Sequence, residues 1–499
     1  MQTTSRKLTV VWPLVVFLLL PSLTRAESGV QAWVQRCAGV PHAMAVDGSN
    51  NVIVTGSSAV GGGDYVTIKY SSAGVPLWTN LYNGPENAND QAYAVAVDGS
   101  NNVIVTGTSG GNYATIKYSS DGVLLWTNLY NGPGNADDQA TAVAVDGSNN
   151  VIVTGSSVGS ASSYDYAAIK YSSDGVPLWT NRYNGIGNGP DYAEAVAVDG
   201  SNNVIVTGAS GGNYATIAYS SAGVALWTNC YSGGFGASVA VDNSNNVIVA
   251  GYSYSGYYYY ATIKYSSAGV ALWTNRYKGT GPNDGFDTPP HQVAVDGSNN
   301  VLVVGCLHDS LNDSDYATTK YSSAGVPLWT NCYNGGGNGI GWAYAVAVDG
   351  SNNVIVTGNS SADYATIKYS STGVLLWANR CGSPKGWDDP CAVVVDHSGN
   401  VIVTGSSEDD NYNSYFATVK YICVPEPVVT GLQLTNGTFQ IRVDDVLQPG
   451  TLVIEASTNL STTNWAPLFT NTTPTNALFY TDPDASNAPT RFYRAFQFP

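Results

Sequence analysis

Two pairs of adjacent carboxylates, Asp388-Asp389 and Asp409-Asp410, are the first residues in this 499-residue chain whose type and spacing could do chemistry. Two acids flanking a substrate can act as general acid and general base, as in glycoside hydrolysis. Other acids and tyrosines stand in similar settings: Asp137, Asp138, Asp284, Asp287, Asp313, Asp315, and the run Tyr257, Tyr258, Tyr259, Tyr260. A second acidic pattern is repeated. The phrase VAVDGSNNVIVTG begins at residues 95, 143, 196 and 346, and supplies Asp98, Asp146, Asp199 and Asp349; variants place the same residue at Asp47, Asp242, Asp296 and Asp396. Asp47, Ser49 and Asn51 have the i, i+2, i+4 spacing that starts an EF-hand loop, which makes calcium a candidate. Position six is Val52 rather than Gly and no Glu stands at position twelve. A hairpin turn whose Asp caps backbone N–H groups is the better reading. His42, His291, His308 and His397 have no metal-ligand spacing, and the chain has no P-loop. No catalytic, cofactor or metal residue is therefore expected, and the acids and tyrosines named first are candidates for a ligand-binding face.

The elements that would carry them are strands. One unit, AVAVDGSNNVIVTGTSGGNYATIKYSSDGVLLWTNLYN from Ala94, splits into four short apolar pieces rich in β-branched and aromatic residues. DGSNN joins the first two and SSDG or SSAG the last two, each with residues suited to positive φ. The repeated aspartates lie 43 to 54 residues apart. A four-stranded antiparallel sheet at that period predicts an all-β fold, a β-propeller. Seven units end in a Trp strand, at Trp78, Trp126, Trp179, Trp227, Trp273, Trp329 and Trp377; the eighth lacks one, while an orphan, GVQAWVQRC around Trp33, precedes the first. Together they predict about eight blades closed by the N-terminal strand, which removes open sheet edges. The repeated Trp reads as packing on the outer strand. Lys69, Lys117, Lys170, Lys264, Lys320, Lys368 and Lys420 hold one register, broken by Ala218, and read as partners for a turn Asp or carbonyl.

In such a meander the constant DGSNN and SSxG turns share one end of the sheets. The loops that differ between blades share the other, and binding function concentrates on loops held by a rigid scaffold. Bulk properties narrow the partners. A net charge of −17, from 36 acidic and 19 basic residues, argues against nucleic acid and anionic membranes. Arg6 and Lys7, the run LTVVWPLVVFLLL and Thr24-Arg25-Ala26 read as a signal peptide over 1–26, so a secreted, cell-surface or periplasmic protein is expected, with no membrane span after cleavage. The seven cysteines are irregularly placed and make no disulfide framework; Cys381 with Cys391 is the best candidate pair. The repeat unit would span 27–423. VPEPVV, 424–429, reads as a linker, and residues 430–499 as a small fibronectin-like β-sandwich with Asn-Gly and Pro-Gly turns.

AVAVDGSNNVIVTGSS followed by DYATIKYSSAGVPLW resembles the SBBP-type β-propeller repeat of secreted and surface bacterial proteins, over roughly residues 30 to 422. That resemblance implies an extracellular scaffold or binding role without shared catalytic residues, and a ring usually described as seven-bladed. The G-x-x-LW ending also looks like repeats of quinone-dependent dehydrogenases, whose cofactor and metal constellation is not recognisable in this sequence. The C-terminal EASTNLSTTNWAPL…FYTDPDASNAPTRFYRA is similar to terminal modules of secreted Verrucomicrobia proteins. The reading is a non-enzymatic, monomeric binding scaffold whose partner is a polysaccharide or surface protein. A purely structural surface protein, and a glycan-active enzyme or quinoprotein relative, are the alternatives.

Overall fold

The computed structural model describes residues 27–499 apart from 60–62, 86, 255–257, 278–290, 309–313, 334–340, 383–386, 410–412, 426–427, 436–437, 445–450, 458–465, 473–476, 483–491 and 499. The expected signal peptide and Tyr257, Asp284, Asp287, Asp313 and Asp410 lie outside the described residues. Those described form strands and turns, with no helix. The chain divides into two compact units, Gln31–Ile422 and the N-terminal stretch to Val30 with Cys423–Pro499.

Each sequence repeat becomes one antiparallel sheet whose strand order follows the chain. Repeat 2 runs Asp90–Val97, Val103–Ser109, Asn112–Tyr118 and Leu124–Tyr130. Its two middle strands are buried along nearly their whole length, and its last strand exposes most of one face. The reason is packing between repeats rather than within them. Ile53 and Tyr65 of repeat 1 share a core with Val103, Val105, Ala114 and Ile116 of repeat 2. A sheet buried on both faces needs near-continuous Val, Ile and Ala. The threonines in its middle strands satisfy their own hydroxyls: Thr106 and Thr115 bond each other at 2.9 Å, and Thr106 donates to the Ala114 carbonyl. The repeated Tyr of DYATIKY reaches further, donating across the gap: Tyr65 to the Ala114 carbonyl, Tyr166 to Ala215, Tyr316 to Ala365.

Repeats 2 to 7 form separate four-stranded sheets, and repeats 1 and 8 share a seven-stranded one. Its middle strand, Glu27–Val46, lies between Ser414–Pro425 of repeat 8 and Val52–Ser58 of repeat 1. Gly39–Val46 pairs with repeat 1. Ile402 and Phe416 share a core with Met44, Val54 and Ile68. The first strands of successive repeats pack side by side, which makes them the inner strands. In every repeat but the sixth this strand carries a one-residue register shift; in repeat 2 it leaves Tyr93 unpaired between Ala92 and Ala94.

The tryptophans sit differently from plain core packing. Trp78 and Trp126 are half-buried, and each leans on the next repeat: Trp78 on Tyr118 at 6.0 Å, Trp126 on Tyr171 at 5.9 Å. Trp377 is the buried one. The SSxG glycine lies beneath the indole. Gly122 has φ +83°, and a Cβ there would come 2.7 Å from the Trp78 ring.

Cys381 and Cys391 are both free thiols, so the expected pair does not form. The segment between them runs from the outermost strand of repeat 7 to the inner strand of repeat 8, and the two sulfurs keep to separate sheets. The C-terminal unit contains two three-stranded antiparallel sheets around Ile441, Val443, Leu452 and Ile454. Strands run to Pro425 and restart at Val428, so most of the expected linker is extended strand.

Gly122→Ala should lower stability by about 1–3 kcal/mol, from left-handed backbone strain and contact with Trp78. Thermal unfolding followed by circular dichroism measures it, and an unchanged midpoint would contradict the packing described.

Candidate functional site

The repeated aspartates are buried, apart from the partly buried Asp349, and their oxygens are occupied by donors. Asp47 Oδ1 accepts the N–H of Ser49 and of Asn51, both at 2.9 Å. Its Oδ2 accepts Asn51 Nδ2 at 2.9 Å and the Lys69 ammonium at 2.8 Å. Asn50 takes φ +63°, closing the turn. The same pattern holds at Asp98, Asp146, Asp242, Asp296, Asp349 and Asp396. An EF-hand-like cation does not fit an oxygen set filled by N–H groups and a lysine ammonium. Asp199 faces Ala218 and keeps its turn bonds to Ser201 and Asn203. The lysine is therefore not what forms the turn.

Its second contact explains it. Lys69 Nζ also donates to the Ser120 carbonyl of repeat 2, 2.9 Å away, and Trp78 Nε1 donates to the same oxygen. Asn80 Nδ2 donates to the Gly122 carbonyl, and the Gly48 N–H to Asn101 Oδ1. This set recurs around the chain and includes the step from repeat 8 to repeat 1. There Lys420 and Trp33 donate to the Ser72 carbonyl, and the His397 N–H to Asn50.

The step from repeat 7 to repeat 8 differs. Ser414–Pro425 continues straight where other repeats turn back through SSxG. Trp377 Nε1 is left buried without an acceptor. Gly399 replaces the linking Asn, so the Gly350 N–H has no Asn oxygen to meet.

At the other end of the sheets stand the residues expected to form a ligand face. Asp137 is exposed, but Asp138 is 1% exposed and accepts the N–H groups of Gly132 and Val158. Asp388 is equally buried. Both are corrected from ligand-face acids to buried residues of the inter-repeat crossing, a position that Asp90 and Asp191 also fill. Tyr260 is corrected as well: it is the repeat's core tyrosine, buried and bonded to the Cys306 carbonyl at 2.6 Å. Tyr258 opens a strand, and Tyr259 is half-buried under the Arg276 guanidinium, 4.0 Å away. Asp315 is half-buried opposite Leu307. Asp409 caps its own loop, accepting from Asn413 and from the Tyr415 hydroxyl.

Asp388 and Asp389 do not act as a pair. They face Ser407 and Ser406 in register, and successive strand residues point to opposite sides. Asp389 instead meets Asn359 of repeat 7, whose Nδ2 donates to it at 2.8 Å. Burial, with Asp388 and Glu408 near, holds the Asp389 carboxyl above its usual range.

A pattern missed in the sequence runs along the inner strands. The extra residue at each register shift is His42, Tyr93, Thr141, Glu194, Ala237, Tyr344 or Cys391, and His291 holds the matching place in repeat 6. Neighbours touch: His42 lies 5.4 Å from Tyr93, His291 4.9 Å from Tyr344, and Thr141 donates to the Ala193 carbonyl. Burial drives His291 down to about 4, raises Glu194, and pushes Cys391 up to about 12. Near neutral pH the histidine and thiol are uncharged. Aligning the repeats on their shared phrase exposes this column, because it varies freely while the residue four positions on is Val in every repeat. The described residues contain no group of three or more metal-ligating side chains.

No protein-family model matches the chain, and no curated protein sequence matches it. Among solved structures it is similar to Sqt1 from Chaetomium thermophilum, with a TM-score of 0.53 and 11% identity over 80% of this chain and 99% of that one. It is also similar to XC5397 of Xanthomonas campestris, a gluconolactonase, with a TM-score of 0.33 and 13% identity over 57% and 95%. At such identities the first likeness speaks for the propeller-type fold alone, and the second carries no argument.

Two outcomes follow from the constant end. Burial alone would raise the seven lysine-paired aspartates, but the lysine and asparagine donors outweigh it and hold them below the usual range. A lowered folded-state pKa gives stability that is complete above the unfolded value, about 3.9, and is lost as pH falls through the folded one. Melting temperatures from pH 7 to 2.5 should be flat near pH 5 to 7 and fall steeply below about pH 4. Gly399→Asn should supply the missing acceptor and stabilise by about 1 kcal/mol, whereas Asn149→Gly should cost a similar amount. Unfolding midpoints of the two variants compare them directly.

Proposed function

We propose that the chain is a ring of eight four-stranded blades, closed by its N-terminal strand, that serves as a secreted or surface-associated binding scaffold. Its ligand is a carbohydrate or surface polymer held at the variable end, and no reaction is catalysed. One observation carries this reading. The constant end commits its polar side chains to bonds between repeats, while the exposed aromatic side chains among the described residues of the repeat unit, Tyr192, Tyr254, Trp342 and Trp387, all stand at the variable end. Single exposed aromatics are ordinary, but their gathering at one end of the sheets supports a binding role there, and sugars are a natural fit for flat apolar faces beside acids and amides. The ring reading draws on the bonds that tie repeat 8 to repeat 1 and on the strand those repeats share. The two C-terminal sheets fit a small sandwich that packs Phe469, Tyr480 and Tyr493 about its core.

The test is depletion of the full chain from solution by insoluble polysaccharides, with calcium or with EDTA, while the supernatant is assayed for released sugar. Depletion without release is the expected result. Released sugar would make the protein an enzyme, and neither effect would leave a structural surface protein.

A further inference from the structure

We propose that Tyr164, Tyr192 and Asp137, at the variable end of repeats 3 and 4, form a subsite for the protonated amine of an amino-sugar polymer. This rests on the binding function proposed above and deepens it by naming one place and one class of ligand.

Strands from neighbouring repeats bring the tyrosines together. Tyr164 opens the third strand of repeat 3, Tyr164–Tyr171, and Tyr192 is the second residue of the first strand of repeat 4, Asp191–Val198. Their ring centroids lie 5.5 Å apart, with the planes tilted by 36°. Tyr192 is 37% exposed and Tyr164 is half-buried. The core tyrosines spend their hydroxyls on carbonyls of the next repeat, whereas neither of these hydroxyls bonds to another of the described residues.

Asp137 supplies the charge. It is exposed, and of the described candidate acids it is the one with no bond to another described residue. Asp138 accepts two N–H groups, Asp389 is held by Asn359, and Asp409 caps its own loop. Asp137 Oδ1 rests against Gly111 of repeat 2, where a Cβ would come 2.9 Å from it. Burial first, then Asp137, Tyr192 and Asp138, hold the Tyr164 hydroxyl above its usual range, so the paired rings and the free carboxylate share one neighbourhood.

The ligand class follows from the charge. Arg182 is the basic residue at this end of repeat 3, and its guanidinium is spent on Tyr130, Ser157 and Asp165. Between Arg182 and Lys264 the sequence has no lysine, arginine or histidine, while Asp191 and Glu194 add further acids. An uncompensated carboxylate beside two aromatic rings suits a cation, which the ring faces attract and the carboxylate hydrogen-bonds. A sugar amine presents that cation on a pyranose whose C–H face matches a tyrosine ring. An anionic sugar would meet like charge here.

Calorimetric titration of the full chain with glucosamine hexamer and with its N-acetylated counterpart, in mildly acidic buffer at physiological salt, tests this. The variants are Asp137→Asn, Tyr192→Ala and, to remove the same charge from an exposed turn of the constant end, Asp174→Asn. Wild type should bind the glucosamine hexamer, and bind the acetylated one about tenfold more weakly. Asp137→Asn and Tyr192→Ala should each weaken binding about fivefold, and Asp174→Asn should leave it unchanged. Because Asp137 is exposed and unbonded among the described residues, its variant should melt as wild type does, which separates lost binding from lost folding. Equal weakening by Asp174→Asn would assign binding to overall charge and overturn the subsite. Equal binding of the acetylated hexamer, or of pentalysine, would overturn the ligand class. If the glucosamine hexamer does not bind while insoluble polysaccharides still deplete the chain, the subsite alone is overturned; if neither binds, the binding function falls with it.

Discussion

A carboxylate buried at the root of each turn, with every oxygen engaged, is the constraint on which the rest of the molecule depends. Asp98 holds two backbone N–H groups of its turn and an asparagine amide, and it neutralises a lysine that would otherwise be a lone buried charge. Buried ion pairs of this kind are weak evidence for stability, because desolvating both charges offsets most of their attraction. Their value here is geometric. The lysine, once neutralised, can be pushed through to the carbonyl of the next repeat, which it reaches only at one spacing and one tilt. Repeat 4 shows the separation of duties: with Ala218 in place of lysine the turn persists, and Trp227 alone keeps contact with the Ser267 carbonyl.

That division explains why one phrase is repeated almost without change. Ser49 and Asn51 bond within their own turn, and Gly48 and Asn50 bond to neighbouring repeats, so a substitution in DGSNN loosens either the turn or the link between repeats. Nothing comparable restrains the opposite ends of the strands, where loops differ in length and the inner strands carry His, Tyr, Thr, Glu or Cys at the same bulge. Bulges re-aim side chains without disturbing the ladder on either side. The scaffold thus accepts variation at one depth of each inner strand and at its loop end.

The strands, their order and the turn chemistry were readable because each is a local property repeated many times. The Lys register and the absent Trp strand of repeat 8 were visible for the same reason. Three things were not. Asp138 and Asp388 look like loop acids, but whether an acid at a strand's first position is buried depends on the crossing segment that folds over it. Tyr260 was hidden in a run of four tyrosines, where only alignment to Tyr65 and Tyr113 marks it as the core member. The pairing of Asp389 with Asn359 joins residues on different sheets, and no spacing in the sequence encodes it.

The shared strand Glu27–Val46 has a consequence for how the molecule comes into being. Its first half completes a sheet whose other members are the last of the repeats to be synthesised, and Lys420 meets the Ser72 carbonyl across 348 residues of chain. Contacts of such sequence separation form late and slowly. Until the polypeptide is more than four hundred residues long, the earliest strand has only half its partners. A growing chain therefore carries an unsatisfied edge at each end, and each edge can pair with a second nascent copy as readily as with its own far end. For this protein the risk of domain-swapped assembly is greatest in the interval between emergence of the first repeat and arrival of the last.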